Sequence, residues 1–155
     1  MLTLLPAAIL ACSRPATPDT AAPVKVAEAV VKMTNAERAR KQLPQLEPSA
    51  RLMRAAQIHA EQMARAGRLD HYLPGAKYPR AEDRLAAVQY PWNAWAENVA
   101  HGQEDADAVM RSWMKSKGHR ENILHESVTE MGVGHSAGRD GRIYWVQLFA
   151  RPSPN

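Results

Sequence analysis

The sequence predicts an α+β fold in which one sheet lies between two layers of helices, an α-β-α sandwich. Amphipathic helical segments and a C-terminal pair of strands are the observations that predict it. The second strand of this pair is apolar on both faces, so each face needs a cover, and only the helices can provide it. With 155 residues, 45% of them hydrophobic, the chain is long enough for one packed core.

The first twelve residues are typical of an export signal. Residues 1–12 are mainly leucine, isoleucine and alanine, in a run too short to span a membrane. Cys12 is the only cysteine and follows Ile9-Leu10-Ala11, which is similar to the lipobox of bacterial lipoproteins, where the thiol is acylated. Cleavage by an ordinary signal peptidase and a free thiol without function stay open as alternatives. Residues 13–25 are rich in Pro, Ala and Thr and predict a flexible linker, so we expect the folded domain at 26–152.

The first predicted helix opens the folded domain. Val26, Val30 and Met33 recur at i, i+4 and i+7, which is the spacing of one helical face. We expect this helix to end near Gln42, because Pro44 cannot continue it.

The second predicted helix has clear start and stop signals. Ser49 precedes it, and Gly67 is a natural cap at its end. Its apolar face carries Leu52, Ala56, His59 and Met63. His59 is therefore expected to pack in the core, with a ligand role as the less favoured alternative. His71 follows in a loop just beyond the helix.

A third helix is predicted to begin at Gln103-Glu104-Asp105. Its apolar face carries Ala106, Val109, Met110, Trp113 and Met114. Acidic residues at its start and lysines at its end complement the helix dipole. We expect Gly118 to cap its end.

The last predicted element is a hairpin. Strands at Glu130–Ser136 and Arg142–Phe149 are joined by the turn-rich segment Gly138–Gly141. Gly134–Gly138 also spells the Gly-x-Ser-x-Gly pattern of a serine-hydrolase nucleophile, which needs a helix after it. A turn and a second strand follow here instead, so we assign these glycines to the hairpin and no nucleophile to the serine.

Six short motifs occur in a fixed order along the chain. They are Thr34–Arg38, Leu52–His71, Ala96–Ala100, Trp113–Leu124, Met131–Gly134 and Tyr144–Phe149. This series resembles the bacterial members of the CAP superfamily, the cysteine-rich secretory, antigen 5 and pathogenesis-related 1 proteins. The resemblance covers about residues 28–151, and several motifs in order are more specific than any one alone. It implies an α-β-α sandwich with a mainly antiparallel central sheet and an open cleft.

The resemblance also implies a polar site in that cleft. In eukaryotic members of the family the cleft holds two histidines and two glutamates. The matching residues here are His71, Glu97 and His119. The place of the second glutamate falls on Ser116, and no motif assigns that place to the nearby Glu121.

Two imidazoles and a carboxylate have three possible roles. They can hold a divalent metal, zinc being the commonest, so we predict His71 and His119 as metal ligands with Glu97 as a third ligand or a hydrogen-bond partner. A His–Glu pair can instead act as a general base toward water, which would make the protein a hydrolase with these three residues as catalytic candidates. The third alternative is a structural polar cluster.

These observations favour a non-enzymatic, exported module of the bacterial cell envelope over an enzyme. No cysteine or serine nucleophile is indicated, and a family acid is replaced by Ser116. The expected partner is a lipid, a peptide, cell-wall material or another protein, with a lipid anchor at Cys12 if the lipobox functions. The net charge of +4 comes from basic residues that often neighbour acids, which favours a solvated surface over nucleic-acid binding.

Overall fold

The computed structural model describes residues 21–154, with side chains from residue 25 onward. The predicted export signal, Cys12 and most of the predicted linker lie outside the described residues. The elements are α1 (Ala21–Arg40), β1 (Glu47–Pro48), α2 (Ala50–Ala66), α3 (Ala81–Ala87), β2 (Trp92–His101), α4 (Ala106–Lys115), α5 (Lys117–Ile123), β3 (Glu130–Ala137) and β4 (Ile143–Pro152). None of these helices is long and apolar enough to cross a bilayer.

The four strands form one sheet in the order β1-β3-β4-β2. β4 is central and pairs antiparallel with both β3 and β2, whereas the short β1 runs parallel to β3. The sheet is therefore mixed but mostly antiparallel, and the predicted α+β sandwich is confirmed. β2 forms one edge of the sheet.

The two faces of β4 pack into two separate apolar clusters. Val146 and Leu148 contact the cluster built by α2 and α3, while Trp145 and Phe149 belong to the cluster that includes α1, α4 and α5. All four side chains are buried. The prediction that this strand is covered on both faces is confirmed.

Helix α2 crosses β3 directly over two glycines. A Cβ atom added to Gly132 would lie 2.1 Å from the carbonyl carbon of Leu52, and one added to Gly134 would lie 2.4 Å from that of Ala56. Neither position has room for a side chain, because the helix backbone rests on the strand. Gly134 lies in the first strand of the hairpin, as predicted, and its role there is to let α2 pack against β3.

Helix α1 starts earlier than the periodicity predicts. It begins at Ala21, inside the predicted linker 13–25, and ends at Arg40, close to the predicted end. Pro23 lies in the first turn, where its missing N–H removes no helical hydrogen bond. The alanines around it are good helix formers, so the helix extends past the apolar stripe.

The end of α4 also differs from the prediction. The helix stops at Lys115 because Ser116 takes an extended backbone conformation (φ −84°, ψ 126°). Gly118 does not cap α4 but lies within α5. By contrast, Gly67 caps α2 as predicted, with φ 62° and its N–H donating to the carbonyl of Met63.

Candidate functional site

The polar site is centred on Glu97, which lies on the edge strand β2 with its side chain 2% exposed. Its Oε2 accepts a hydrogen bond from Nη2 of Arg84 at 2.7 Å, and its Oε1 lies 2.9 Å from Nδ1 of His71. Burial acts to raise the pKa of Glu97, but the His71 hydrogen bond and the Arg84 charge outweigh it and hold that pKa below its ordinary value. Glu97 is therefore an ionised, buried carboxylate with both oxygens engaged.

Arg84 is the charge that compensates Glu97. It lies on α3 with no exposed surface, and its Nη1 also faces the carbonyl oxygens of Tyr78 and Pro79, at 3.5 and 3.4 Å. A buried guanidinium or carboxylate destabilises the fold when its partner of opposite charge is missing, so the loss of either Arg84 or Glu97 would leave an uncompensated charge. The ion pair ties α3, and the segment before it, to the edge of the sheet.

His59 approaches the same carboxylate from α2. Its Nε2 lies 3.7 Å from Oε1 of Glu97, and within the described chain neither ring nitrogen has a hydrogen-bond partner. Burial lowers the pKa of His59 to about 4, and the opposing attraction of Glu97 is too small to reverse this. The predicted packing role on α2 is confirmed, and the imidazole is neutral at pH 7 beneath the site.

His71 lies in the loop after α2, and its side chain is 57% exposed. A carboxylate can only accept, so Nδ1 of His71 donates to Glu97, and in the neutral ring Nε2 then carries the lone pair. The same hydrogen bond raises the pKa of His71 above its ordinary value. The loop therefore presents an imidazole whose orientation and tautomer are fixed by Glu97.

His119 enters the site from α5. Burial lowers its pKa, and the positive charge of protonated His71 lowers it further. Protonation of His71 therefore disfavours protonation of His119. His71 is hydrogen-bonded to Glu97, whereas His119 lies on α5 and is tied to β2 through its backbone oxygen, which accepts from Asn98.

A network of buried amides fixes α5 against β2. Nδ2 of Asn98 donates to the backbone oxygen of His119 and to Oε1 of Gln147, both at 3.1 Å. Nδ2 of Asn122 donates to Oδ1 of Asn98 at 2.9 Å and to the backbone oxygen of Glu97 at 3.2 Å. The amides thereby lock the backbone that carries both His119 and Glu97.

Two residues near the site in sequence do not take the place of the second family glutamate. Ser116 lies between α4 and α5 and makes no side-chain cap hydrogen bond. Glu121 is exposed, with Oε1 3.9 Å from Nζ of Lys117. Among residues 25–154, no three His, Cys, Asp or Glu side chains are grouped so that they could hold a metal ion by themselves.

Sequence reasoning missed Arg84, His59, Asn98, Asn122 and Gln147 as members of the site. Two of them carry a local signal: Asn98 follows Glu97 directly, and Asn122 comes one helical turn after His119 on α5. Nothing in the sequence near Arg84 connects it with Glu97.

An α-β-α sandwich in which a buried glutamate of the sheet orients a histidine from the loop after α2 agrees with a CAP-type domain. The family model described as the cysteine-rich secretory protein family, CAP, matches residues 31–149. The chain belongs to this family, as the motif series implies.

Similar proteins come from several bacteria. The chain is 34% identical over 133 residues to the uncharacterized protein YkwD of Bacillus subtilis (strain 168), a match that covers 84% of this chain and 50% of that protein. A solved extracellular protein containing an SCP domain from Bacillus anthracis superposes with a TM-score of 0.77 at 29% identity, covering 90% of this chain and 45% of that one. An outer surface protein of Borrelia burgdorferi has the same fold, with a TM-score of 0.74 at 21% identity over 87% of this chain and 96% of that one. The chain spans half or less of the curated relatives it matches.

Proposed function

We propose that this protein is an exported, non-enzymatic binding module of the bacterial cell envelope. The observation that carries the proposal is that both oxygens of Glu97 are engaged, one by Arg84 and one by His71. A carboxylate held in this way is not free to take a proton from water. Export is supported by relatives described as an extracellular protein and an outer surface protein.

We further propose that the exposed edge of the site binds a divalent metal through His71 and His119. A carboxylate that holds one imidazole nitrogen leaves the other oriented for a metal, an arrangement common at zinc sites. Glu97 therefore acts through His71 rather than as a ligand, because Arg84 and His71 already occupy its oxygens. With two protein ligands the site is completed by water, and binding is weak and dispensable for folding.

Calorimetric titration with zinc tests the metal proposal. Wild type is expected to bind one ion, and His71→Ala and His119→Ala are each expected to weaken binding at least about tenfold, as loss of one of two ligands should. His125→Ala is the matched control, since His125 is exposed and its ring, among the described residues, accepts a hydrogen bond only from the backbone N–H of Ser127. Binding should also weaken as pH falls through the histidine range, because a protonated imidazole cannot coordinate. Zinc binding that is unchanged in both site variants would overturn the assignment.

A hydrolase is the second candidate, favoured by the same hydrogen bond between His71 and Glu97. A carboxylate-oriented imidazole with a raised pKa is the arrangement of a general base. This alternative requires turnover of a defined ester or peptide substrate that disappears in His71→Ala and in His119→Ala while both variants keep their fold. Turnover that persists in both variants would rule it out.

For the N-terminal segment, the proposal is export followed by lipid attachment at Cys12. The support is the short apolar run that ends at the only cysteine. Mass spectrometry of the mature protein from its native host should find an N-terminal, acylated Cys12. An unmodified N-terminus after Cys12 would refute the lipid anchor but not export.

A further inference from the structure

A groove of about 1020 Å³ lies on the outer side of α2. Helix α2 forms one side of it, and the loop 73–78 together with the end of α3 forms the other. His71, Glu97 and His119 are not among its lining residues. We call it the α2 groove.

The α2 groove is strongly cationic. Among the described residues, five basic side chains line it and one acidic side chain, Glu61, does so. The basic residues are Arg51, Arg54, Arg65, Arg68 and Lys77. The periodicity of α2 explains this convergence, because helical spacing puts its arginines on the face opposite the apolar stripe. Basic residues that look scattered in the sequence are thus collected on one surface.

Most of this charge is not neutralised within the described chain. Of the five basic residues, Arg68 alone forms a salt bridge with a described carboxylate, that of Asp70. Arg54, Arg65 and Lys77 form none among residues 25–154, and Glu61 accepts a hydrogen bond from Gln57. The groove therefore presents cations that an external anion can pair with.

Apolar residues also line the groove. Ile58 lies midway along α2, and Leu73 and Val88 line the groove from the loop and from the residue after α3. A ligand that fills the groove must therefore offer apolar groups as well as anionic ones. This requirement disfavours a polyphosphate or a sugar-phosphate polymer, whose backbone is polar throughout.

The distribution of charge along the groove distinguishes a single-chain lipid from an extended peptide as the ligand. Arg51 and Arg65 are fourteen residues apart on α2, roughly 21 Å along the helix axis. A single-chain lipid carries its charge at one end and would use only one end of the groove. An extended peptide rises about 3.3 Å per residue, so about seven residues span this distance, with side chains alternating between two faces.

We propose that the α2 groove binds an extended peptide of about seven residues in which acidic and apolar side chains alternate. The acidic side chains face α2 and pair with Arg54 and Arg65, and the apolar side chains face the opposite wall of the groove and pack on Ala76 and Val88. The bond to the arginines is bidentate, the geometry that a guanidinium and a carboxylate prefer. This site goes beyond the proposed metal site and does not depend on it.

Fluorescence anisotropy with a defined probe tests the proposal. The probe is an eight-residue peptide of alternating glutamate and leucine, labelled with fluorescein and used at nanomolar concentration against the full chain. Wild type should bind it, with affinity that falls as salt is raised. The double variant Arg54→Glu/Arg65→Glu should bind at least about tenfold more weakly, because both anchoring charges are reversed. Both positions are exposed, and thermal melts check that the fold is kept.

Matched controls separate this site from general charge attraction. Arg111→Glu/Arg139→Glu makes the same change of net charge at two exposed positions outside the groove and should leave affinity unchanged. A probe of eight glutamates should bind more weakly than the alternating peptide, because it has no apolar side chains to pack on Ala76 and Val88. Equal loss in the control variant, equal binding of the all-glutamate probe, or no binding by wild type would each overturn the proposal. So would binding to vesicles of phosphatidylglycerol and phosphatidylcholine that depends on Arg54 and Arg65 while the peptide fails to bind, since the groove would then serve a membrane surface.

Discussion

Replacing Gly132 with alanine is expected to separate α2 from β3. The added Cβ would lie 2.1 Å from the carbonyl carbon of Leu52 and 2.3 Å from the amide nitrogen of Met53. Carbon atoms in contact are normally about 3.5–4.0 Å apart, so the helix must move away by roughly 1.5 Å. Because these neighbours are backbone atoms of α2, no side chain can rotate to make room. Overpacking of this kind costs about 1–3 kcal/mol where side chains can adjust, and we expect a loss of about 3 kcal/mol or more in the free energy of unfolding here.

Urea unfolding followed by circular dichroism measures this loss, with Gly118→Ala as the matched control. Gly118 lies inside α5, and a Cβ atom there meets nothing within 4 Å. The same substitution at that position should leave the free energy of unfolding unchanged or raise it by up to about 0.5–1 kcal/mol, because alanine is the better helix former and Gly118 lies in the first turn of α5. A Gly132→Ala variant within about 1 kcal/mol of wild type would show that α2 does not rest on the strand backbone.

Two further predictions concern the histidines beneath and beside Glu97. The folded-state pKa of His59, about 4, lies below its ordinary value of 6.5, so the unfolded chain takes up the proton first as pH falls. The free energy of unfolding should therefore drop by about 3 kcal/mol between about pH 6.5 and about pH 4. Urea unfolding of His59→Leu should show a correspondingly shallower pH dependence. The raised pKa of His71 has the opposite sign, since its contribution is complete below its ordinary pKa of 6.5 and is lost as pH rises through the folded value. NMR titration should place the His71 pKa above 6.5 and find it lowered in Glu97→Gln; a pKa unchanged in that variant would contradict the assigned hydrogen bond.

The sequence predicts those elements that are marked by local signals, namely a regular apolar face and residues that start or end the element. Helices α2 and α4 combine a regular apolar face with end signals such as Gly67, and the hairpin has its turn glycines, so their positions were confirmed closely. Helix α3 has seven residues, too few for a periodic pattern to stand out. Strand β2 was missed because Glu97 and Asn98, which are polar, occupy buried positions in it. They are tolerated there only because tertiary partners satisfy them.

The residues of the polar site were also predicted only in part. Family motifs identified His71, Glu97 and His119, and the structure joins His71 to Glu97 by a hydrogen bond while His119 lies on α5. The partner that keeps Glu97 ionised could not be predicted, because Arg84 lies on an unpredicted helix and meets the carboxylate only after the chain has folded. His59 was assigned to the core from its helical face, and the structure shows that core and site share it.

The side-chain amide of Asn122 fixes α5 against β2, and it also protects part of the exposed edge of that strand. β2 is an edge strand, and edge strands expose backbone groups that can pair with other chains. By donating to the backbone oxygen of Glu97, Asn122 occupies one of these acceptors, and α5 lies over this part of the edge. A variant that loosens α5 would therefore do more than displace His119. It would open a place for intermolecular strand pairing, and self-association would then increase with protein concentration.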